Sequence, residues 1–231
     1  MRKYEKLFRS SYSENLSTLV LLADGLHSLS AEYGCNTSGE VSGRIVYVYY
    51  SNCSLGSNLF ELDELRERGV EVRLIDGAGG RSGRELLEIA LSQALEALSE
   101  LRQYTYITLQ RGIEYSLLVL RSGEVYVAEG GVGRISLPYV EGVILEAHTH
   151  PLDCAPSERD LNTAVTRFME GLYTAAVVSP LCSTVIYRVS PLSEEDLISL
   201  RNMSELFADL EKTRQQTLEL GGIRVLVLRF L

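Results

Sequence analysis

The apolar run Gly142-Val143-Ile144-Leu145 passes directly into Glu146-Ala147-His148-Thr149-His150-Pro151, and Ser157-Glu158-Arg159-Asp160 follows a short loop later. No other stretch constrains the chain as much. The run reads as a buried strand, and residues i and i+2 of a strand point to one face. His148 and His150, two of only three histidines in 231 residues, therefore present both imidazoles on one side of a sheet. Ser157 and Asp160 form a capping box, and Leu161, Ala164, Val165, Phe168 and Met169 share one face of the helix that follows. A helix start there brings the Asp160 carboxylate back toward the histidines. Two His and one carboxylate, with a fourth position left for water, is the ligand pattern of a catalytic zinc site.

His148-Thr-His150-Pro151 followed by Ser157-x-x-Asp160 resembles the signature of the JAMM (MPN-plus) metallopeptidases over roughly residues 83–190. The resemblance implies zinc held by His148, His150 and Asp160, an oxyanion role for Ser157, and an upstream Glu as general acid/base. It implies a JAMM-like mixed sheet flanked by helices, and hydrolysis of peptide or isopeptide bonds in ubiquitin-like or sulfur-carrier protein conjugates. The loop Pro151 to Pro156 is one residue shorter than the family spacing. A catalytically silent MPN-type scaffold is the alternative reading. A third is a sensor whose N-terminal half binds a nucleotide or phosphate.

The upstream Glu has several candidates. Glu114 opens an apolar strand that leads through Ser122-Gly123 into a second strand, as the family's Glu does, and is the first choice. Glu124 and Glu129 on the second strand are the alternatives. Glu146 shares the His148 face and is either a partner that holds a ring N–H or a solvated strand-end residue. Cys154 is loop filler, an extra ligand or a redox-sensitive thiol. His27 is structural or on the surface. The chain has no His-Glu-x-x-His and no Pro-Cys-x-x-Cys, which sets aside the zincin and nucleobase-deaminase patterns.

Composition narrows the setting. A formal charge of −9 argues against nonspecific nucleic-acid binding, which needs a basic face. No apolar run reaches 18 residues, so no membrane span is expected. The N-terminus lacks an apolar signal core. Cys35, Cys53, Cys154 and Cys182 show no Cys-x-x-Cys pairing and read as free thiols, which predicts a cytoplasmic protein.

The pattern of elements predicts an α/β fold in two parts: a small α/β domain over residues 1–80 and the JAMM-like domain over 81–231. Residues 1–33 read as helix, Arg44–Tyr50 as strand, Asn58–Arg68 as helix and Val70–Asp76 as strand, giving a parallel pair. Gly77–Gly83 is a flexible connector or a phosphate cradle with Arg81, and a helix runs from Arg84 to Leu101 behind the capping box Ser82/Glu85. Strands follow at 174–179 and 184–189, a helix at 193–216 and a last strand at 223–230. That last strand either rejoins the N-terminal sheet or pairs across a homodimer.

Overall fold

The computed structural model describes residues 4–56, 59–132, 140–203 and 217–230. These form a mixed α/β protein with eleven strands and five α-helices. Eight strands make one sheet in the order β1 (Tyr4–Arg9), β6 (Glu124–Val132), β5 (Ile113–Leu120), β7 (Val143–Thr149), β8 (Thr174–Val178), β9 (Cys182–Arg188), β11 (Ile223–Arg229), β10 (Thr217–Leu220). Only the β7–β8 pairing in it is parallel. A second sheet of three strands has β3 (Ile45–Ser51) between β2 (Asn36–Ser42) and β4 (Glu71–Asp76), with β3 and β4 the expected parallel pair.

Each face of the large sheet has its own cover, because successive strand residues alternate sides. Leu117 and Val119 of β5 join one buried cluster with α1 (Ser11–Tyr33), α3 (Gly83–Arg111) and Val46 and Val48 of the small sheet. Leu118, between them, joins another with α4 (Glu158–Met169) and α5 (Glu194–Arg201). Burial of a Leu or Val side chain is worth about 1.5–3 kcal/mol, so both clusters contribute substantially to stability.

Local signals fix the helix ends. Ser10 and Ser13 cap α1, and Gly34 stops it at φ 67°. The segment before that cap is strand β1, on the edge of the large sheet beside β6, rather than part of one helix over 1–33. Helix α3 starts at the expected Ser82/Glu85 box but runs ten residues past Leu101, where Thr105 and Thr108 continue the buried stripe until Gly112 at φ 67° ends it. Before Gly69, which ends the segment at φ 74°, a 3-10 turn (Phe60–Leu62) and the short α2 (Asp63–Glu67) stand where one longer helix was expected. Ser57 and Asn58 lie outside the described residues.

The glycine loop is not a slack tether. A Cβ on Gly79 would stand 2.5 Å from the Tyr49 ring, and one on Gly80 would stand 2.6 Å from the Gly39 carbonyl oxygen. Arg81 and Gly39 exchange two backbone hydrogen bonds, at 2.7 and 2.8 Å. Glycine is required because the loop packs directly on the small sheet, and the Glu85 N–H at the start of α3 donates to Ser82 Oγ.

Other expectations are corrected. The final strand β11 pairs antiparallel with β9 and β10, in the large sheet and within one chain. The segment 217–220, next to the expected helix, is strand β10, which turns at Gly221 (φ 57°) into β11. The remainder of that expected helix, 204–216, with Phe207 and Leu210, lies outside the described residues.

The four cysteines are not free. Cys35 pairs with Cys53 and Cys154 with Cys182, with Cα atoms 5.2 and 5.7 Å apart. Both separations lie within the range a disulfide spans. Partners 18 and 28 residues apart leave no local spacing signal, so the free-thiol reading, and the argument from it to a reducing compartment, fall. Among the described residues no helix is long and apolar enough to cross a membrane.

Candidate metal centre

Strand β7 lies between β5 and β8, so its end is clamped from both sides. His148 stands opposite Ser116 of β5 and Val177 of β8, and the His150 N–H donates to the Val178 carbonyl at 2.9 Å. Thr149, on the opposite face, is fully buried. Its hydroxyl lies 2.7 Å from that of Thr108 on α3 and accepts the Tyr115 N–H at 2.9 Å. One residue thus fixes the backbone that carries both imidazoles to the next strand and to the helix behind the sheet.

The imidazoles converge. His148 Nε2 and His150 Nε2 are 3.1 Å apart, with ring planes inclined at 60°. Asp160 completes the group from the first turn of α4, with Oδ1 3.3 Å from His148 Nε2 and Oδ2 3.5 Å from His150 Nε2. Ligand atoms placed about 2.0–2.2 Å from a tetrahedral zinc are separated from one another by about 3.3–3.6 Å. The imidazole pair stands close to that range, Asp160 meets the two rings through different oxygens, and one ligand atom from each of the three residues lies within 4.8 Å of the others; borderline imidazole with one hard oxygen is a donor set suited to zinc. Among the described residues this is the one cluster of three or more His, Cys, Asp or Glu side chains that could hold a metal ion.

Asp160 is fixed by its own helix start. Its Oδ2 accepts the Ser157 N–H at 2.8 Å and the Ser157 hydroxyl at 2.7 Å, while its N–H donates back to Ser157 Oγ at 3.2 Å. Capping and ligation are therefore compatible, and the expected oxyanion donor Ser157 has its hydroxyl on Asp160. The loop before the cap is tied down by the Cys154–Cys182 disulfide, which links it to the start of β9. Cys154 is accordingly neither a thiol nor a ligand.

The electrostatics follow from burial and proximity. Burial opposes ionisation of Asp160, but hydrogen bonds from His148 and His150, the charge of His148 and the Ser157 hydroxyl hold the carboxyl far below its ordinary range. Burial would lower the pKa of His150, yet the Asp160 hydrogen bond and charge, with Glu114 and Asp153, raise it on balance. Asp153 stands 3.9 Å from His150 Nδ1.

Glu114 sits at the start of β5, two residues before Ser116, on the face that carries His148. It lines the same cleft as the three ligand residues. Burial raises its pKa, and the charges of His148 and His150 partly offset this. The alternatives lie elsewhere: Glu124 hydrogen-bonds Ser122 at the far turn, and Glu129 accepts the Tyr115 hydroxyl at 3.1 Å. Glu146 shares the His148 face but accepts from Arg167 of α4 at 3.1 Å, so it is an ion-pair partner lining the cleft, and among the described residues no ring N–H donates to it. His27 is half-buried, far from the histidine pair in sequence, with its Nδ1 unpartnered among the described residues and its pKa lowered by burial.

Sequence reasoning missed Thr149, Thr108 and Arg167. Strand alternation was the available signal for Thr149, since a polar residue between two site residues must face the opposite layer. Arg167 carried none, because its partner lies 21 residues away on another element. No protein-family model, no curated protein and no solved structure matches this chain.

Proposed function

We propose that the protein is a zinc-dependent hydrolase of peptide or isopeptide bonds, of the JAMM (MPN-plus) kind, acting on conjugates of a ubiquitin-like or sulfur-carrier protein. The observation that carries this reading is the convergence of His148, His150 and Asp160, with one ligand atom from each within 4.8 Å of the others and Glu114 in the same cleft. In this reading the large sheet, including edge strand β1, with its flanking helices is a JAMM-like domain, and the rest of residues 1–80 supplies an additional small α/β unit.

His148 and His150, through Nε2, and the Asp160 carboxylate would hold the ion. When bound, zinc supplies Lewis acidity, which makes water a nucleophile near neutral pH and polarises a carbonyl. Glu114, its pKa raised by burial, is suited to accept a proton from the attacking water and return it to the leaving amine. Ser157 is the donor assigned to the developing oxyanion, a role for which its single O–H, donated to Asp160 Oδ2 in this structure, would have to turn to the substrate.

The direct test is elemental analysis of the wild type and of His148→Ala/His150→Ala, both purified without added metal. About one zinc per wild-type chain, lost in the variant, is the expected outcome. A wild type that takes up no zinc even on reconstitution sinks the proposal and favours the scaffold reading.

A further inference from the structure

Helix α4 forms one wall of the cleft, and Arg159, Thr163 and Arg167 line it from that side. Residues four apart on a helix stack on one face, so these three make a single row about 12 Å long. The row begins beside the candidate ligands, because Arg159 lies between Ser157 and Asp160 in the first turn.

The two cations of the row differ. Arg167, at the inner end, donates to Glu146 at 3.1 Å and to Glu170 at 3.0 Å, so acids of the protein itself hold it. Arg159, at the outer end, is exposed and makes no hydrogen bond or ion pair with any described residue. Glu114, on the sheet wall, forms no salt bridge with it. Burial is the main influence on the Glu114 carboxyl, and the Arg159 charge reaches that carboxyl and acts the other way. Arg159, Thr163 and Arg167 also line a shallow groove over the outer face of α4. Arg159 thus stands on the rim where the cleft opens to solvent.

A guanidinium is a planar fork of donors that matches the two oxygens of a carboxylate. On an open surface such a pair contributes little, because water and salt screen it. Here the guanidinium borders a cleft walled further in by Ala164, Ala175, Val177 and Ile186. A ligand lying in that cleft displaces water, and the same hydrogen bonds are stronger in the drier setting. The net charge of −9 repels an anion at long range, so a preference for one has to come from this local contact.

We infer that Arg159 is a specificity residue at the mouth of the cleft, which anchors a carboxylate of the bound chain beside the metal ligands. A C-terminus and an Asp or Glu side chain present the same two oxygens, and either is a source of that carboxylate. The position beside a scissile bond rests on the hydrolase reading, whereas the carboxylate preference rests on the cleft alone.

The test titrates the full chain, zinc-loaded and again after chelation, with acetylglycine and its neutral amide, followed by NMR chemical shifts. The wild type is expected to prefer the acid by about tenfold, the size of one charge-assisted hydrogen bond, in both metal states. Arg159→Gln should abolish the preference in the chelated protein, and Arg159→Lys, which keeps the charge but not the fork, should retain part of it; thermal melting checks that both variants fold. No preference in the chelated wild type, or an undiminished one in Arg159→Gln, overturns the inference. Cleavage of pooled peptides with free or amidated C-termini, mapped by mass spectrometry, separates the sources and the parent reading. Cuts next to the C-terminus that vanish on amidation identify a terminal carboxylate, and cuts beside Asp or Glu in both pools identify a side chain. Cuts with neither preference overturn the subsite and leave the hydrolase standing. Intact pools, with an Arg159-dependent preference for acetylglycine, support the subsite and count against the hydrolase.

Discussion

Thr108 on α3 and Thr149 on β7 are joined hydroxyl to hydroxyl at 2.7 Å, although 41 residues separate them. Thr149 is the residue between the two candidate histidine ligands, so this contact links the long helix behind the sheet to the backbone that carries the site. The Tyr115 N–H, one residue beyond Glu114, donates to the same Thr149 oxygen at 2.9 Å. The strand of the candidate base and the strand of the candidate ligands are therefore held by one side chain.

Thr149→Val keeps the shape and removes that oxygen. It leaves the Tyr115 N–H without its partner, at a cost of about 1–3 kcal/mol for a buried donor. Urea unfolding should show a loss of that size, and a competition titration should show weaker zinc binding. A variant as stable as the wild type, with unchanged zinc affinity, would remove Thr149 from its organising role.

Glu114→Gln should retain zinc and lose hydrolysis by about 10²–10⁴-fold, the usual contribution of a general acid/base. Single-turnover assays on a cleavable substrate, together with elemental analysis, check both halves. Retained hydrolysis would transfer the role to another group.

The two disulfides should separate stability from metal binding. Closing loops of this size stabilises by about 3 kcal/mol each in the chain-entropy view. Cys35→Ser/Cys53→Ser should lower stability by about that much and leave zinc affinity alone, because those residues lie outside the site loop. Cys154→Ser/Cys182→Ser should lower stability and also weaken zinc binding, because Cys154 holds the loop that leads to Ser157 and Asp160. Equal zinc affinity in the two double variants would count against a clamped loop.

Asp196 supplies a pH dependence independent of the metal. Burial pushes its pKa up, but the Gly222 and Ser193 N–H groups and the Ser193 hydroxyl outweigh this and hold it below the ordinary 3.8. A carboxyl depressed on folding stabilises fully above its unfolded pKa, and the contribution fades as pH falls through the folded value. Asp196→Asn should therefore be less stable than the wild type at pH 6, with the gap narrowing below about pH 4. Denaturation midpoints across that range decide it, and a constant gap would contradict the assignment.

Zinc removal should also be visible without an assay of turnover. Chelation should lower the melting temperature, because a ligand that binds only the folded state stabilises it by mass action. The shift should be absent in His148→Ala/His150→Ala, and a shift of equal size in that variant would place the metal elsewhere.

Much of this protein was legible in its sequence because the deciding interactions are local. The helix starts at Ser82 and Ser157 are written in residues three apart, the strands at 113–120, 124–132, 143–149, 174–178 and 182–188 in short apolar and alternating runs, and the shared face of His148 and His150 in the two-residue repeat of a strand. The placement of Glu114 at the start of a strand that leads into a tight turn was likewise legible from a local pattern. What depended on distant partners was not legible. The edge strand β1 exists because β6 offers it hydrogen bonds, and β11 lies beside β9 because the large sheet has an open edge there. The cysteines pair across 18 and 28 residues, the Thr108–Thr149 contact spans two layers, and Glu146 meets Arg167 only once α4 packs on the sheet. Sequence determines periodicity and caps through neighbours within a turn or two of chain. Only tertiary packing decides which distant donor meets which acceptor, and here that decision brings three candidate ligand side chains together and pairs Glu146 with Arg167.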